Sequence, residues 1–303
     1  MILYIALVIT AFFLAHVAGP LLDQNRWAGR APAAAATLWL GVMAGAIAAA
    51  AGLLALLIFG SSGPGHGVVE WFHRCVAHPH TGTTLTIALS AASLYAAGRG
   101  GRRALTRLRE TRSARRRHRE MLALVVSARQ EFDDVCVLDH PLPVAYCLPD
   151  RKRPIVVSSG ALDVLEPAEL AAVLTHERAH LKGRHHLILA LIDALACVTP
   201  WAATFRRARI TLPILLEQAA DDSAADRHGP TAVAGALRRL TILPCPAGAL
   251  AAAENALEQR LERLERTKPW SRRRGLAWVG AVCSAALPLV IAAGWTATIT
   301  LTC

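Results

Sequence analysis

The five residues His176-Glu177-Arg178-Ala179-His180 carry the strongest chemical signal in the chain. On a helix, positions i and i+4 project from one face, so His176 and His180 can give imidazole nitrogens to one metal ion. Glu177 stands beside them, where a carboxylate can take a proton from a water attacking a carbonyl group. Zinc is the ion that suits this set. A catalytic zinc takes three protein ligands and keeps one position open, so the chain is expected to hold one Zn2+ and to supply one further ligand.

Two residues compete for that place. His186 completes the spacing H-E-x-x-H-x-x-G-x-x-H, in which Gly183 would break the helix and return a third histidine to the metal. That spacing resembles the metzincins, which also need a methionine in a turn downstream of the motif. The methionines here are Met1, Met43 and Met121, all upstream. Glu217, in Glu217-Gln-Ala-Ala-Asp221-Asp, is the other candidate and the one favoured. On a second helix it completes a His/His/Glu site, with Asp221 one turn along the same face to orient a ligand. Ala219, Ala220, Ala224 and Ala225 would let the two helices approach closely. His185, Arg206 and His228 are further candidates for contact with substrate or transition state.

Several elements must position these groups. Pro167 follows Glu166, and proline favours a first helical turn, so a helix is expected to start there with Leu170, Val173 and Leu174 on its buried face. Before it, residues 135–138, 144–148 and 155–157 read as short strands, the last followed by a stop at Ser158-Ser159-Gly160. The second or third strand could take an extended peptide by strand addition. After it, residues 187–205 are apolar but broken by Asp193 and Pro200, and read as a buried or membrane-dipping hairpin. Residues 254–268 form an amphipathic helix expected to pack on the core.

The composition points to a membrane. Hydrophobic residues make up 54% of the 303, mean hydropathy is +0.37 and net charge is +11. Residues 2–22, 32–59 and 81–98 read as three transmembrane helices and 275–299 as a fourth, C-terminal one. The first lacks the basic start of a cleaved signal. Gly41, Gly45 and Gly52 would allow close packing in the second. Residues 99–120 form a basic juxtamembrane segment, with ten arginines between Arg99 and Arg119 against Glu110. Such a run marks the cytoplasmic side. Parity then puts the N-terminus, the His-rich loop at 61–80 and the C-terminus outside, and residues 121–268 inside. No aromatic residues interleave with the arginines, so direct nucleic-acid binding is not expected. The seven cysteines form no C-x-x-C pair and read as thiols of a reducing compartment.

The set H176-E-R-A-H180 with E217-x-x-A-D221 resembles the gluzincins that carry an E-x-x-A-D second helix, the HtpX-like and BlaR/MecR-type membrane zinc peptidases. Arg153-Pro-Ile-Val-Val-Ser-Ser-Gly-Ala-Leu, Leu181-Lys-Gly-Arg-His-His and Arg260-Leu-Glu-Arg-Leu are similar to the BlaR/MecR-type group, peptidase family M-fifty-six. The resemblance covers about residues 120–268. It implies a mainly α membrane protein with an α+β zinc metallopeptidase domain at 121–268, in a multi-pass plasma-membrane protein of bacterial type. Glu177 would be the catalytic base, His176, His180 and Glu217 the ligands, and Asp221 the residue behind them. The implied function is cleavage of a cytoplasmic or membrane-proximal protein in signalling, with a winged-helix repressor of BlaI/MecI type as the expected substrate and lipid as the surroundings. No penicillin-binding sensor is expected after the last span. An HtpX-like quality-control protease is the alternative enzyme, and an inactive membrane scaffold the alternative of another class.

Overall fold

A computed structural model of the chain describes residues 2–24, 28–59, 81–125, 134–148, 155–240 and 247–266, with residues 279, 282, 283, 286 and 290. The loop at 61–80 and all but five residues of the expected span at 275–299 lie outside the described residues. In order, the helices are α1 (Ile2–Phe12), α2 (Ala18–Asp23), α3 (Pro32–Phe59), α4 (Thr81–Val125), α5 (Ser159–Val164), α6 (Pro167–Lys182), α7 (His185–Val198), α8 (Ala203–His228), α9 (Pro230–Leu240) and α10 (Ala247–Arg266). A π-helical turn at Phe13–Val17 joins α1 to α2. The strands are β1 (Val135–Leu138), β2 (Ala145–Cys147) and β3 (Ile155–Ser158).

Two helical stretches among the described residues, Ile5–Asp23 and Pro32–Leu54, are long and apolar enough to cross a bilayer. They pack with the N-terminal half of α8 around Leu14, Trp39, Met43, Phe205 and Leu212. At the crossing, the Thr204 hydroxyl donates to Leu14 O (2.8 Å) and accepts from Gly19 N (3.1 Å). A hydroxyl thus inserts into the α1–α2 backbone ladder, a recognised cause of a π turn. Gly19 permits the approach, since a Cβ there would lie 2.6 Å from Thr204 Cα. Of the glycines singled out for close packing, Gly52 makes only ordinary contact with Leu7, at 3.9 Å or more. The tight crossing is at Gly19.

Residues 81–98 and the basic run at 99–120 form one element. Helix α4 runs unbroken for 45 residues, about 67 Å at 1.5 Å per residue. The change from apolar to basic side chains alters what surrounds the helix and leaves its backbone pattern intact. Helix α7 lies antiparallel along it: Gly100 abuts Val198, and Arg115 Nη2 donates to His186 O (3.0 Å). The apolar stretch at 187–205 is α7, a turn at 199–202 and the first turn of α8. Its second limb continues past Pro213 for 26 residues in all and carries Glu217 and Asp221.

The three strands form a sheet of order β1-β3-β2, with β1 parallel and β2 antiparallel to β3. Central β3 is paired on both sides and β1 and β2 are the edges, so of the two strands expected to take a peptide only β2 has an edge to offer among the described residues. Ser158 ends β3 without being a mere stop. Its buried hydroxyl caps α5 by accepting from Ala161 N (3.1 Å), accepts from Val144 N (2.9 Å) and donates to Leu142 O (2.7 Å). Val135, Ile155 and Val157 of the sheet bury against Val173 and Leu174 of α6. Leu174 lies on the face of α6 opposite His176, whereas Val173 shares the side of the histidines and lines the cavity beside them.

Candidate metal centre

Helix α6 begins at Pro167 in its first position, with a capping box in which the Glu166 backbone N–H donates to Glu169 Oε2 (3.0 Å) and Glu169's backbone N–H to the Glu166 side chain. In mid-motif, Arg178 grips Asp134 through two 2.8 Å bonds, tying the helix to the start of β1. Small buried residues, Ala172 on α6 and Ala220 and Ala224 on α8, bring the two helices together. The result is a cluster of three groups. His176 Nε2 lies 3.0 Å from His180 Nε2 and 3.5 Å from Glu217 Oε2, and His180 Nε2 lies 3.3 Å from Glu217 Oε1. A tetrahedral zinc bonded at about 2.0–2.2 Å needs ligand atoms roughly 3.3–3.6 Å apart. The two histidine–glutamate distances, to different oxygens of the Glu217 carboxylate, fall in that range, and the His176–His180 distance is about 0.3 Å short of it, a difference that small ring movements supply.

Each histidine of the cluster has a partner behind it. His176 Nδ1 faces Asp221 Oδ1 at 3.1 Å, which leaves Nε2 to the metal. Asp221 is 1% exposed and is held by Arg260 of α10 in a bidentate pair, Nε to Oδ2 at 2.8 Å and Nη2 to Oδ1 at 2.7 Å. Burial raises the Asp221 pKa, but Arg260 and His176 outweigh it and hold the carboxyl at about 2. Burial also opposes ionisation of Glu217, yet His176, His180 and Arg260 bring its pKa below the ordinary value. His180 Nδ1 faces His185 Nδ1 at 2.8 Å.

Glu177 is 9% exposed. Burial raises its pKa, while His176 and hydrogen bonds from the Cys147 thiol and backbone N–H pull the other way; the net shift is upward. Burial and the Glu177 charge push the Cys147 thiol itself up to about 12, so it stays protonated. A cavity of about 230 Å³ opens beside these groups, lined by His176, Glu177, Glu217 and Arg260 and, on its apolar side, by Val233, Leu237 and Leu240 of α9.

Other predicted residues fall elsewhere. Among the described residues the only group of three such side chains close enough to hold a metal ion is His176, His180 and Glu217, and His186 is not in it. Arg206 and His228 lie eleven residues before and after Glu217 on α8, about 16 Å away along the axis in either direction. Arg206 binds Pro200 O (2.8 Å) and Trp201 O (3.1 Å), and His228 Nε2 pairs with Thr175 Oγ1 (2.8 Å). Neither reaches the metal set. His185 packs behind His180, with its Nε2 against Gly183, and does not face an open ligand position. Sequence reasoning gave no role to Arg260 or Cys147. Arg260 was visible only as part of a similar segment, and Cys147 becomes adjacent to Glu177 only through the sheet.

The comparisons with known proteins now bear on this site. Residues 111–213 match the model of peptidase family M48. The match takes in His176, Glu177 and His180 and stops just short of Glu217, whose place beside the two histidines is seen in the geometry alone. The chain is 42% identical over 48 residues to protease HtpX homolog 2 of Methanosarcina mazei, covering 16% of each protein. It is 42% identical over 67 residues to the plastoglobule-localized metallopeptidase 48 of Arabidopsis thaliana, covering 22% of this chain and 20% of that one. The chain thus spans a fifth or less of the curated relatives it matches. No solved structure matches it. The likeness is to M48-type zinc metallopeptidases, the HtpX-like side of the resemblance.

Proposed function

We propose that the chain is a membrane-associated zinc endopeptidase whose catalytic centre lies at the cytoplasmic face and cleaves protein substrates close to the bilayer. The observation that carries this reading is the cluster of His176, His180 and Glu217, with the two imidazole nitrogens 3.0 Å apart, a carboxylate oxygen 3.3 or 3.5 Å from each, and Glu177 beside it. Bound by those three residues, zinc supplies Lewis acidity toward the scissile carbonyl. Glu177 takes the proton of the attacking water and returns it to the leaving amine. A carboxylate raised by burial suits both transfers. The edge of β2 holds an extended segment of substrate, and the cavity against α9 receives one of its side chains.

The membrane arrangement in this reading has four spans, at about 2–22, 32–59, 81–98 and 275–299, with both termini outside. The hairpin of α7 and α8 dips into the inner leaflet. Support comes from its tip: Trp201, 63% exposed, stacks on His16 of the first span at 5.7 Å, and Arg207 pairs with Asp23 at that span's end. Within enzymes, the M48 match favours an HtpX-like role in protein quality control. Cleavage of a BlaI/MecI-type repressor remains a narrower reading, supported by the segments at 153–162 and 260–264. The test is Glu177→Gln in the full chain, purified in detergent with its zinc measured. Retained zinc with proteolysis reduced by about 100- to 10,000-fold is expected. Undiminished cleavage with Gln at 177 would overturn the mechanism. Offering the wild type an unfolded membrane protein and a winged-helix repressor side by side separates the two substrate readings.

A further inference from the structure

We infer that His185 is a positioning residue for the metal: through its Nδ1 it fixes the tautomer and orientation of the ligand His180. The inference rests on the metal-site reading above and concerns a residue that reading leaves without a task.

The geometry sets the direction of the bond. His180 turns Nε2 toward His176 and Glu217, at 3.0 and 3.3 Å, and Nδ1 toward His185 Nδ1, at 2.8 Å. A neutral imidazole has one N–H and one lone pair. If Nε2 gives its lone pair to a metal, the proton must sit on Nδ1. His180 Nδ1–H then donates, His185 Nδ1 accepts, and the proton of His185 is carried on Nε2. A metal-ligating histidine whose other nitrogen is held in this way is both oriented and made more basic. His176 receives the same service from Asp221, so each ligand histidine has its own anchor.

The local backbone is built to deliver the ring. Arg184 takes a left-handed conformation (φ 49°), the only non-glycine residue among those described with positive φ, and this reverses the chain between α6 and α7. His185 is thereby folded back under the last turn of α6 as the first residue of α7 and is buried. Its ring fills the space that a side chain at 183 would occupy: a Cβ on Gly183 would lie 2.4 Å from His185 Nε2 and 2.6 Å from Cδ2. The rings of His180 and His185 meet edge to face with centroids 4.8 Å apart, which excludes a rotated His180. His186, the next residue, points its carbonyl to Arg115 and takes no part.

The test compares His185→Asn with His185→Leu in the full chain, using zinc alone as the probe and a competing chelator to read affinity. Asparagine places an acceptor oxygen near the position of Nδ1, whereas leucine fills similar volume with no acceptor. His185→Leu is expected to bind zinc 10- to 100-fold more weakly than wild type, and His185→Asn to stay within a few-fold, with metal-free melting temperatures alike. Wild-type affinity in the leucine variant, or equal loss in both variants, overturns the positioning role. A wild-type chain that takes up no zinc, with His176→Ala as the matched control, overturns the metal-site reading itself.

Discussion

Gly183→Ala separates backbone preference from the needs of the metal centre. Gly183 has φ −74° and ψ −6°, a conformation alanine adopts without strain. By backbone entropy alone the substitution should stabilise the chain by roughly 0.4–1 kcal/mol. The new Cβ, however, would sit 2.4 Å from His185 Nε2 and 3.2 Å from Ala179 O. The ring is not the loose end of a flexible side chain: it is buried, bonded to His180 at 2.8 Å and held by the turn at Arg184. It must swing away, which breaks that bond. Loss of a partner behind a metal ligand costs about 10- to 100-fold in affinity, or about 1.4–2.7 kcal/mol. The variant should therefore keep a metal-free melting temperature within a few degrees of wild type and bind zinc 10- to 100-fold more weakly in chelator competition. Unchanged zinc affinity would refute the reasoning, and so would a large loss of metal-free stability with affinity intact.

Other perturbations follow from the same contacts. Glu217→Ala should abolish stoichiometric zinc while His186→Ala leaves it bound, as metal analysis of the purified variants will show; the reverse pattern would move the third ligand. Arg260→Leu strands Asp221 as a buried carboxylate and should cost about 3–5 kcal/mol, read as a fall in melting temperature before any assay of activity. Gly19→Ala overpacks the crossing with Thr204 and should destabilise the detergent-solubilised protein by about 1–3 kcal/mol; a stabilised variant would show that the helices can part there at no cost. Chelation of the metal should lower the melting temperature of the wild type but not that of Glu217→Ala.

Much of the site could be read from the sequence because its rules are local. The i, i+4 spacing sets His176 and His180 on one face, Pro167 after Glu166 marks a helix start, and Glu217 and Asp221 lie one turn apart. What escaped depends on geometry at a distance. Arg260 lies 39 residues beyond Asp221, and no spacing rule links them. His185 and His186 cannot be told apart by type; the left-handed turn at Arg184 decides which ring faces inward. Arg206 and His228 stood as candidates for contact with substrate because the length of α8 was not apparent, and 26 residues of unbroken helix carry both of them away from Glu217. The basic run looked like a segment of its own because charge changes abruptly at Arg99, although both sides are equally able to form helix.

Helix α8 has a consequence for how the protein responds to its surroundings. Phe205 and Leu212 in its first half are buried in one cluster with Leu14 and Trp39, and five residues after Leu212 it presents Glu217 to His176 and His180. A turn of one residue about the helix axis, 100°, would carry that carboxylate out of reach. Metal occupancy and the seating of α8 are therefore two readings of one equilibrium. Under the proposed metal site and membrane arrangement, any lipid or partner that favours the seated helix tightens metal binding by the same factor by which bound metal tightens the hold of that lipid or partner, so metal loading becomes a gauge of what surrounds the helix.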